Sequence, residues 1–222
     1  PSVAGGRLGD HLEAAAPAPP GNAIIRPLRD PWLGGGGLAV LRGNLAPGSG
    51  ITRPAAFPAG MQVFSGRALC FDTEREANAA ILSGHVQGGS VVVIRYVGPR
   101  GGPGMPEMYA PMKYLAARGL SASAAIVTDG RFSGTNNGCF VGHVVPEAAL
   151  GGPIALVRDG DEITIDAPGR ALVLNVSDRE LARRRAAWRP RPPDDVPPGL
   201  LAVYARLAGP ADRGALIELE ET

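Results

Sequence analysis

The chain has 222 residues, 45% hydrophobic and 19% charged, with a formal net charge of +1. That length fits one domain of about 200–250 residues or two small ones, and it buries enough surface to fold without disulfide staples. The near-neutral charge leaves no electrostatic footprint for nucleic acid or an anionic membrane. No apolar run reaches the roughly 18 residues of a membrane span, and 32 glycines with 22 prolines exclude a coiled coil or long helical bundle.

Residues 1–21 read as a leading segment and linker. Leu8 and Leu12, with Asp10 and Glu13, predict one short helical turn. Ala14 to Pro20 is a Pro/Ala stretch whose prolines lack N–H donors. The start of the chain lacks the basic and apolar regions of a signal peptide.

Ile24-Ile25 and Leu38 to Leu41 are short apolar runs, separated by a turn at Pro31 and by Gly34 to Gly37. Gly43 to Gly48 is another turn. Met61 to Phe71 predicts two strand-like pieces around Ser65-Gly66. Thr73 to Leu82 predicts an amphipathic helix stopped at Gly84. Ser90 to Val97 carries the strongest strand signal. A Gly/Pro loop, Gly98 to Pro106, leads to a helix over Met108 to Arg118. Ala124 to Thr128 reads as a buried strand and Asp129 to Gly138 as a polar loop. Ile154 to Val157, Glu162 to Ile165 and Leu172 to Val176 predict three more strands, with turns at Asp159-Gly160 and Pro168-Gly169. Ser177 to Glu180 fits a capping box opening a helix to Trp188, which Pro190 to Pro198 breaks before a helical piece at Leu200 to Leu207. About eight to ten short strands joined mostly by tight turns, with three or four helices, predict an α+β fold: a β-barrel-like, mainly antiparallel sheet flanked by a few helices.

Two loops are candidate sites. In Gly101 to Met108, three glycines free the backbone for close approach, and Glu107 falls in the first turn of a helix, aimed at a strand end. A tight turn with a dipole-stabilising Glu explains the same pattern equally well. Ser133 lies in the polar loop after a buried strand, a common place for catalytic groups. It lacks the Gly-x-Ser-x-Gly elbow, and spacing alone favours an Asx or Ser turn. His143, in an apolar setting, reads as a satisfied core residue. His85 lies at a helix end and His11 in the leading segment. No His, Cys and carboxylate set has metal-ligand spacing. Gly34 to Gly37 lacks the Lys of a P-loop. Cys70 and Cys139 are too few to hold a metal or a cluster alone, and a cytosolic chain keeps them reduced.

Taken in order, several strings are more specific than any one. They include Leu41-Arg42-Gly43-Asn44-Leu45-Ala46-Pro47, Gly104-Met105-Pro106-Glu107-Met108, Asp129-Gly130-Arg131-Phe132-Ser133-Gly134 and Gly142-His143-Val144-Val145-Pro146-Glu147. With them the chain closely resembles the C-terminal part of the dihydroxy-acid dehydratase and phosphogluconate dehydratase family, over nearly its whole length. The resemblance implies a C-terminal β-barrel domain over residues 22–222. It implies a cytoplasmic, commonly dimeric hydro-lyase that dehydrates a 2,3-dihydroxy carboxylic acid to a 2-keto acid. The leading expectation is dihydroxy-acid dehydratase of branched-chain amino-acid biosynthesis. The alternatives are a sugar-acid (aldonate) dehydratase, a separately encoded non-catalytic small subunit, and a carbohydrate- or acid-binding barrel with degraded chemistry.

The resemblance also implies Mg²⁺ and an iron–sulfur cluster of the 2Fe-2S kind, both mainly held by an N-terminal dehydratase domain that precedes the matched region. Glu107 looks like the carboxylate this domain gives to Mg²⁺, and Ser133 looks like the base. Neither Cys70 nor Cys139 matches a cluster ligand, so the chain alone is expected to be inactive. Common members have Gly-Gly-Thr-Arg-Gly after the serine, where this chain has Gly134-Thr135-Asn136-Asn137-Gly138. Many have Pro-Thr-Ser where it has Pro111-Met112-Lys113-Tyr114. Both departures are expected near the substrate and keep an aldonic acid open.

Overall fold

The two-residue period of a strand sends Val91 and Val93 to one side and Val92 and Ile94 to the other. All four are fully buried, so this strand is covered on both faces. A computed structural model shows what covers it. It describes residues 1–222 except 17–20, 22, 33, 35, 36, 103, 134–136, 192–195, 197 and 218–222.

Eight strands are described: β1 (Ala39–Leu41), β2 (Ser49–Thr52), β3 (Val63–Phe71), β4 (Ser90–Ile94), β5 (Ala125–Thr128), β6 (Cys139–Val145), β7 (Glu162–Asp166) and β8 (Ala171–Leu174). They form one sheet in the order β1-β2-β6-β5-β4-β3-β7-β8. Four of its seven pairings are antiparallel. The central block β3-β4-β5-β6 is parallel.

The edges β1 and β8 meet just beyond Leu41. Arg42 donates its N–H to the Arg170 carbonyl at 3.0 Å and accepts from Leu172 at 2.9 Å. The Asn44 carboxamide then mimics a further strand residue. It donates to the Leu174 carbonyl and accepts from the Leu174 N–H, each at 2.8 Å. The α+β, barrel-like, mainly antiparallel reading therefore holds. Two of the three parallel pairings in the block follow from helical crossovers, since parallel neighbours cannot be joined by a tight turn, and the third, β5 with β6, is linked by residues 129–138.

Those crossovers are α2 (Glu74–Leu82), between β3 and β4, and α3 (Tyr109–Ala117), between β4 and β5. Thr73 caps α2 by accepting the Glu76 N–H at 3.2 Å. Ala77 and Ile81 of α2 with Met112 and Leu115 of α3 bury the outer face of the block against Val92, Ile94, Ile126 and Phe140. Inside the barrel Val91, Val93, Val127, Val141, Ile163, Ile165 and Leu172 share a separate core. Two more helices follow the barrel, α4 (Asp178–Ala187) and α5 (Leu200–Leu207).

The differences from expectation have local causes. Met61 to Phe71 is one strand, not two, because Gly66 is no break. A Cβ there would come within 2.5 Å of the Gly89 carbonyl oxygen, so glycine permits the close approach of backbone. Ile154 to Val157 is not a strand. Pro153–Leu156 forms a 3-10 turn, and a short buried apolar run suits either. Ser177 caps α4 at the Glu180 N–H, but Glu180 does not complete a box. Its carboxylate bonds Arg183 at 2.7 Å and Arg184 at 2.8 Å instead.

Residues 1–36 form a unit of their own. Its helix is α1 (Leu8–Ala14). The Arg26 guanidinium lies 4.5 Å over the Trp32 ring and pairs with Asp30 at 2.8 Å. Leu8, Leu12, Ile24, Ile25, Leu28 and Trp32 are all exposed.

Replacing Asn44 by Ala leaves both backbone groups of Leu174 without their partner. Asn44→Ala is expected to lower the unfolding free energy by about 2 kcal/mol, read as a shifted urea midpoint at unchanged slope. An unshifted midpoint would show that the barrel seam does not need it.

Candidate functional site

Parallel pairing in register brings Ile94 of β4 opposite Thr128 of β5. The loops that follow, from Arg95 and from Asp129, therefore leave from one edge of the sheet. Asp129 is fully buried there. Its carboxylate accepts backbone N–H groups from Tyr96 at 3.2 Å, Val97 at 3.1 Å and Ala148 at 2.9 Å. Burial pushes this carboxyl up to about 6, and the three N–H bonds hold it down in part. Glu147, also fully buried, lies beside it. A Cβ on Gly98 would stand 2.8 Å from the Glu147 Cγ and 3.5 Å from the Asp129 Cβ, so this loop packs on both acids through a bare glycine. One Glu147 oxygen accepts the Ala211 N–H at 2.9 Å, and the other has no partner among the described residues. Burial, then the charge of Asp129, raises the Glu147 carboxyl above its ordinary value.

From this anchor the two loops run side by side. Glu107 and Arg131 form a parallel bridge. Met108 donates its N–H to the Arg131 carbonyl at 2.9 Å, and the Arg131 Nε donates to the Met105 carbonyl at 3.0 Å. Neighbouring extended backbones lie about 4.8 Å apart. Glu107 and Ser133 are thus on adjacent segments, with Ser133 two residues past the bridge. The half-buried Glu107 carboxylate makes no hydrogen bond or ion pair among the described residues.

Ser133 lines a cleft of about 140 Å³. Leu38, Ile51, Phe132 and Phe140 make its apolar walls. The two phenylalanine rings stack with centroids 5.4 Å apart. Arg53 and His143 are the ionisable groups on its lining. Glu107 is not on the lining. Among the described residues no set of three His, Cys, Asp or Glu side chains is placed to hold a metal.

Arg53, just past β2, and His143 were not legible as site residues. Arg53 is half-buried, and its guanidinium has no partner among the described residues. His143 is not the satisfied core residue the sequence suggests. Between the pairs Ser49–Val145 and Ile51–Gly142, β6 carries one residue more than β2. That β-bulge re-aims a side chain, and His143 sits in it with φ 52°. Its backbone N–H donates to the Gly130 carbonyl at 2.8 Å. Its ring has no hydrogen-bond partner among the described residues. Burial and the nearby Arg131 charge push its pKa below 6.5, so the ring is neutral at pH 7.

The two departures noted above fare differently. Gly134, Thr135 and Asn136 lie outside the described residues. Pro111 and Met112 are buried in α3, and Lys113 reaches the Tyr109 ring at 5.1 Å. None of Pro111, Met112, Lys113 and Tyr114 lines the cleft. Cys139 is buried in the barrel core and Cys70 packs against that core from β3. Burial raises both thiols to about 12.

The dihydroxy-acid/6-phosphogluconate dehydratase C-terminal family model matches residues 23–215. A protein from Agathobacter rectalis named dihydroxy-acid dehydratase is 49% identical over 218 residues, which is 98% of this chain and 38% of the relative. Its namesake from Chloroflexus aurantiacus is 50% identical over the same shares. A third, from an Anaeromyxobacter species, is 47% identical over 99% of this chain and 38% of its own length. The chain spans 38% of the length of these relatives.

Folded Asp129 keeps its proton to about pH 6, whereas an unfolded aspartate releases it near 4. Its contribution to stability therefore falls as the pH rises from about 4 through 6 and is level above that. The unfolding free energy of the native chain, minus that of Asp129→Asn, is expected to drop by about 2–3 kcal/mol between pH 4 and pH 7. A difference that stays flat in denaturant titrations across this range would contradict the buried charge.

Proposed function

The chain belongs to the dihydroxy-acid/6-phosphogluconate dehydratase C-terminal family, and on that premise we propose that it is the C-terminal catalytic part of a hydro-lyase. The reaction converts a 2,3-dihydroxy carboxylic acid to a 2-keto acid. The substrate is a branched-chain dihydroxy acid. One observation carries the choice: Ser133 faces a small cleft walled by Leu38, Ile51, Phe132 and Phe140, with Arg53 at its lining. An alkyl branch fits those walls. A sugar acid would leave several hydroxyls against aromatic and aliphatic carbon without partners, at a cost of about 1–3 kcal/mol each.

The chain's own groups divide the work. The Arg53 guanidinium faces the substrate carboxylate. The stacked Phe132 and Phe140 hold the alkyl end and keep water from C2. Ser133 Oγ takes the C2 proton, and the product enol rearranges to the keto acid. Glu107, a half-buried carboxylate in the loop beside Ser133, suits one oxygen ligand of Mg²⁺. The other ligands must come from outside the residues described. When bound, Mg²⁺ would stabilise the negative charge that builds on the substrate's carboxylate and C2 hydroxyl.

The cysteines of this chain do not fit an iron–sulfur cluster. Cys70, half-buried, and Cys139, buried, are protonated and on strands separated by β4 and β5. In this reading the cluster, of the 2Fe-2S kind, belongs to the preceding part of a longer, dimeric, cytoplasmic polypeptide. Two features support a longer chain: the 38% span of the relatives and the apolar side chains exposed on residues 1–36. Among the described residues no helix is long and apolar enough to cross a membrane.

In the complete polypeptide, Ser133→Ala is expected to lower kcat on 2,3-dihydroxyisovalerate by about 10³-fold, within the range for losing a proton-transfer group. Near-native turnover by that variant would overturn the assignment. Glu107→Gln should raise the Mg²⁺ concentration needed for half-maximal rate by at least about tenfold, with an unchanged requirement counting against the ligand role. Residues 1–222 alone with Mg²⁺ should not turn over this acid at all.

A further inference from the structure

A serine hydroxyl is too weak a base at neutral pH to take the proton from C2 unaided. It needs a group to receive its own proton. The described residues offer one on the same cleft. His143 shares the lining with Ser133, and its ring nitrogens have no hydrogen-bond partner among the described residues. Its backbone is held at φ 52°, a left-handed conformation uncommon outside glycine. The β-bulge between β2 and β6 imposes that conformation, and the Gly130 carbonyl fixes it through the His143 N–H. Gly130 belongs to the same loop as Ser133, so one hydrogen bond couples the bulge to the serine's segment. Strain of this kind persists where the surrounding structure over-determines it, and it clusters at functional sites.

We propose that His143 is the proton partner of Ser133, the positioning residue that turns its hydroxyl into the base. This rests on the dehydratase reading above. The step balances within the site. The Ser133 hydroxyl proton passes to the imidazole as Ser133 Oγ takes the proton from C2. The C2–H electron pair becomes the C2=C3 bond while the C3–O bond breaks. The imidazolium proton returns through solvent to the departing hydroxide, which leaves as water, and both residues regain their starting states.

The charges facing His143 favour this role. Arg131 comes from the loop after β5 and Arg53 from the end of β2. Burial and the Arg131 charge keep the resting imidazole neutral, ready to accept a proton, and the Arg53 guanidinium on the same lining favours an alkoxide on Ser133. Among the described residues no carboxylate lines the cleft to hold the ring protonated. Activity should therefore rise with pH as His143 loses its proton, below its ordinary 6.5.

The test uses the complete polypeptide with its metal centres and 2,3-dihydroxyisovalerate. Two variants suit the left-handed backbone: His143→Asn, because asparagine tolerates φ above zero, and His143→Gly, which also opens space. Near-ultraviolet circular dichroism checks that each keeps the native fold. The expected result is a kcat about 10²- to 10⁴-fold lower for His143→Asn, with KM within about threefold. The acid limb of the pH–rate profile should vanish, and added imidazole should restore turnover to His143→Gly. Three results would overturn the proposal: turnover of His143→Asn within threefold of native, an acid limb left in place, or a folded His143→Gly that imidazole does not rescue. Ser133→Ala assayed alongside separates the two claims. An inactive Ser133→Ala with a fully active His143→Asn sinks the partner role alone. An active Ser133→Ala sinks the dehydratase assignment of Ser133 and the partner role with it.

Discussion

The Asp129 carboxylate holds the functional edge of this domain together. It is fully buried, and its oxygens accept three backbone N–H groups, two from the loop after β4 and one from the turn after β6. Those loops and its own would otherwise leave the sheet as unconnected chain ends. A buried carboxylate without such partners would cost several kcal/mol. Here each bond satisfies a backbone donor and fixes a loop at once. Everything beyond Asp129 takes its position from that point. The Glu107–Arg131 bridge starts two residues after it, and Ser133 follows two residues later.

The same edge is where the backbone is forced. Tyr96, Met105 and His143 all have φ between 52° and 61°, and none is glycine. Each such residue costs on the order of 1 kcal/mol. Tyr96 donates its N–H to Asp129, the Met105 carbonyl is held by Arg131, and His143 donates to Gly130. These three residues are thus each tied to the segment that carries Ser133. The stability to support this comes from below. The parallel block has apolar cores on both faces, and the Arg42 and Asn44 seam closes the sheet into a rigid platform.

Much of this was legible in the residues. The alternation through Ser90 to Ile94, the capped helix after Thr73 and the strand–loop patterns around Glu107 and Ser133 follow from local chemistry, and local chemistry is what a sequence records. The motif strings then pointed to a family and to two site residues. What stayed hidden depends on pairing between distant segments. β2 and β6 are short or glycine-interrupted, and only their pairing makes them strands. The parallel block needed knowledge of which strands neighbour one another. His143 was hidden for the same reason, because a bulge is a mismatch between two strands and no single strand shows it. Arg53 carried no signal, since an arginine beside a proline is an ordinary surface pattern until the cleft is seen around it.

The central claim is that the substrate's reacting carbon meets Ser133 in the cleft that Phe132 and Phe140 wall. The most direct test is a crystal structure of the complete polypeptide with 2-hydroxy-3-methylbutanoate, which lacks the C3 hydroxyl and does not react. The account predicts C2 within about 3.5 Å of Ser133 Oγ, a near-attack distance, with the isopropyl group against the two phenyl rings. An analogue bound elsewhere, with the cleft filled by protein from the rest of the polypeptide, would contradict it.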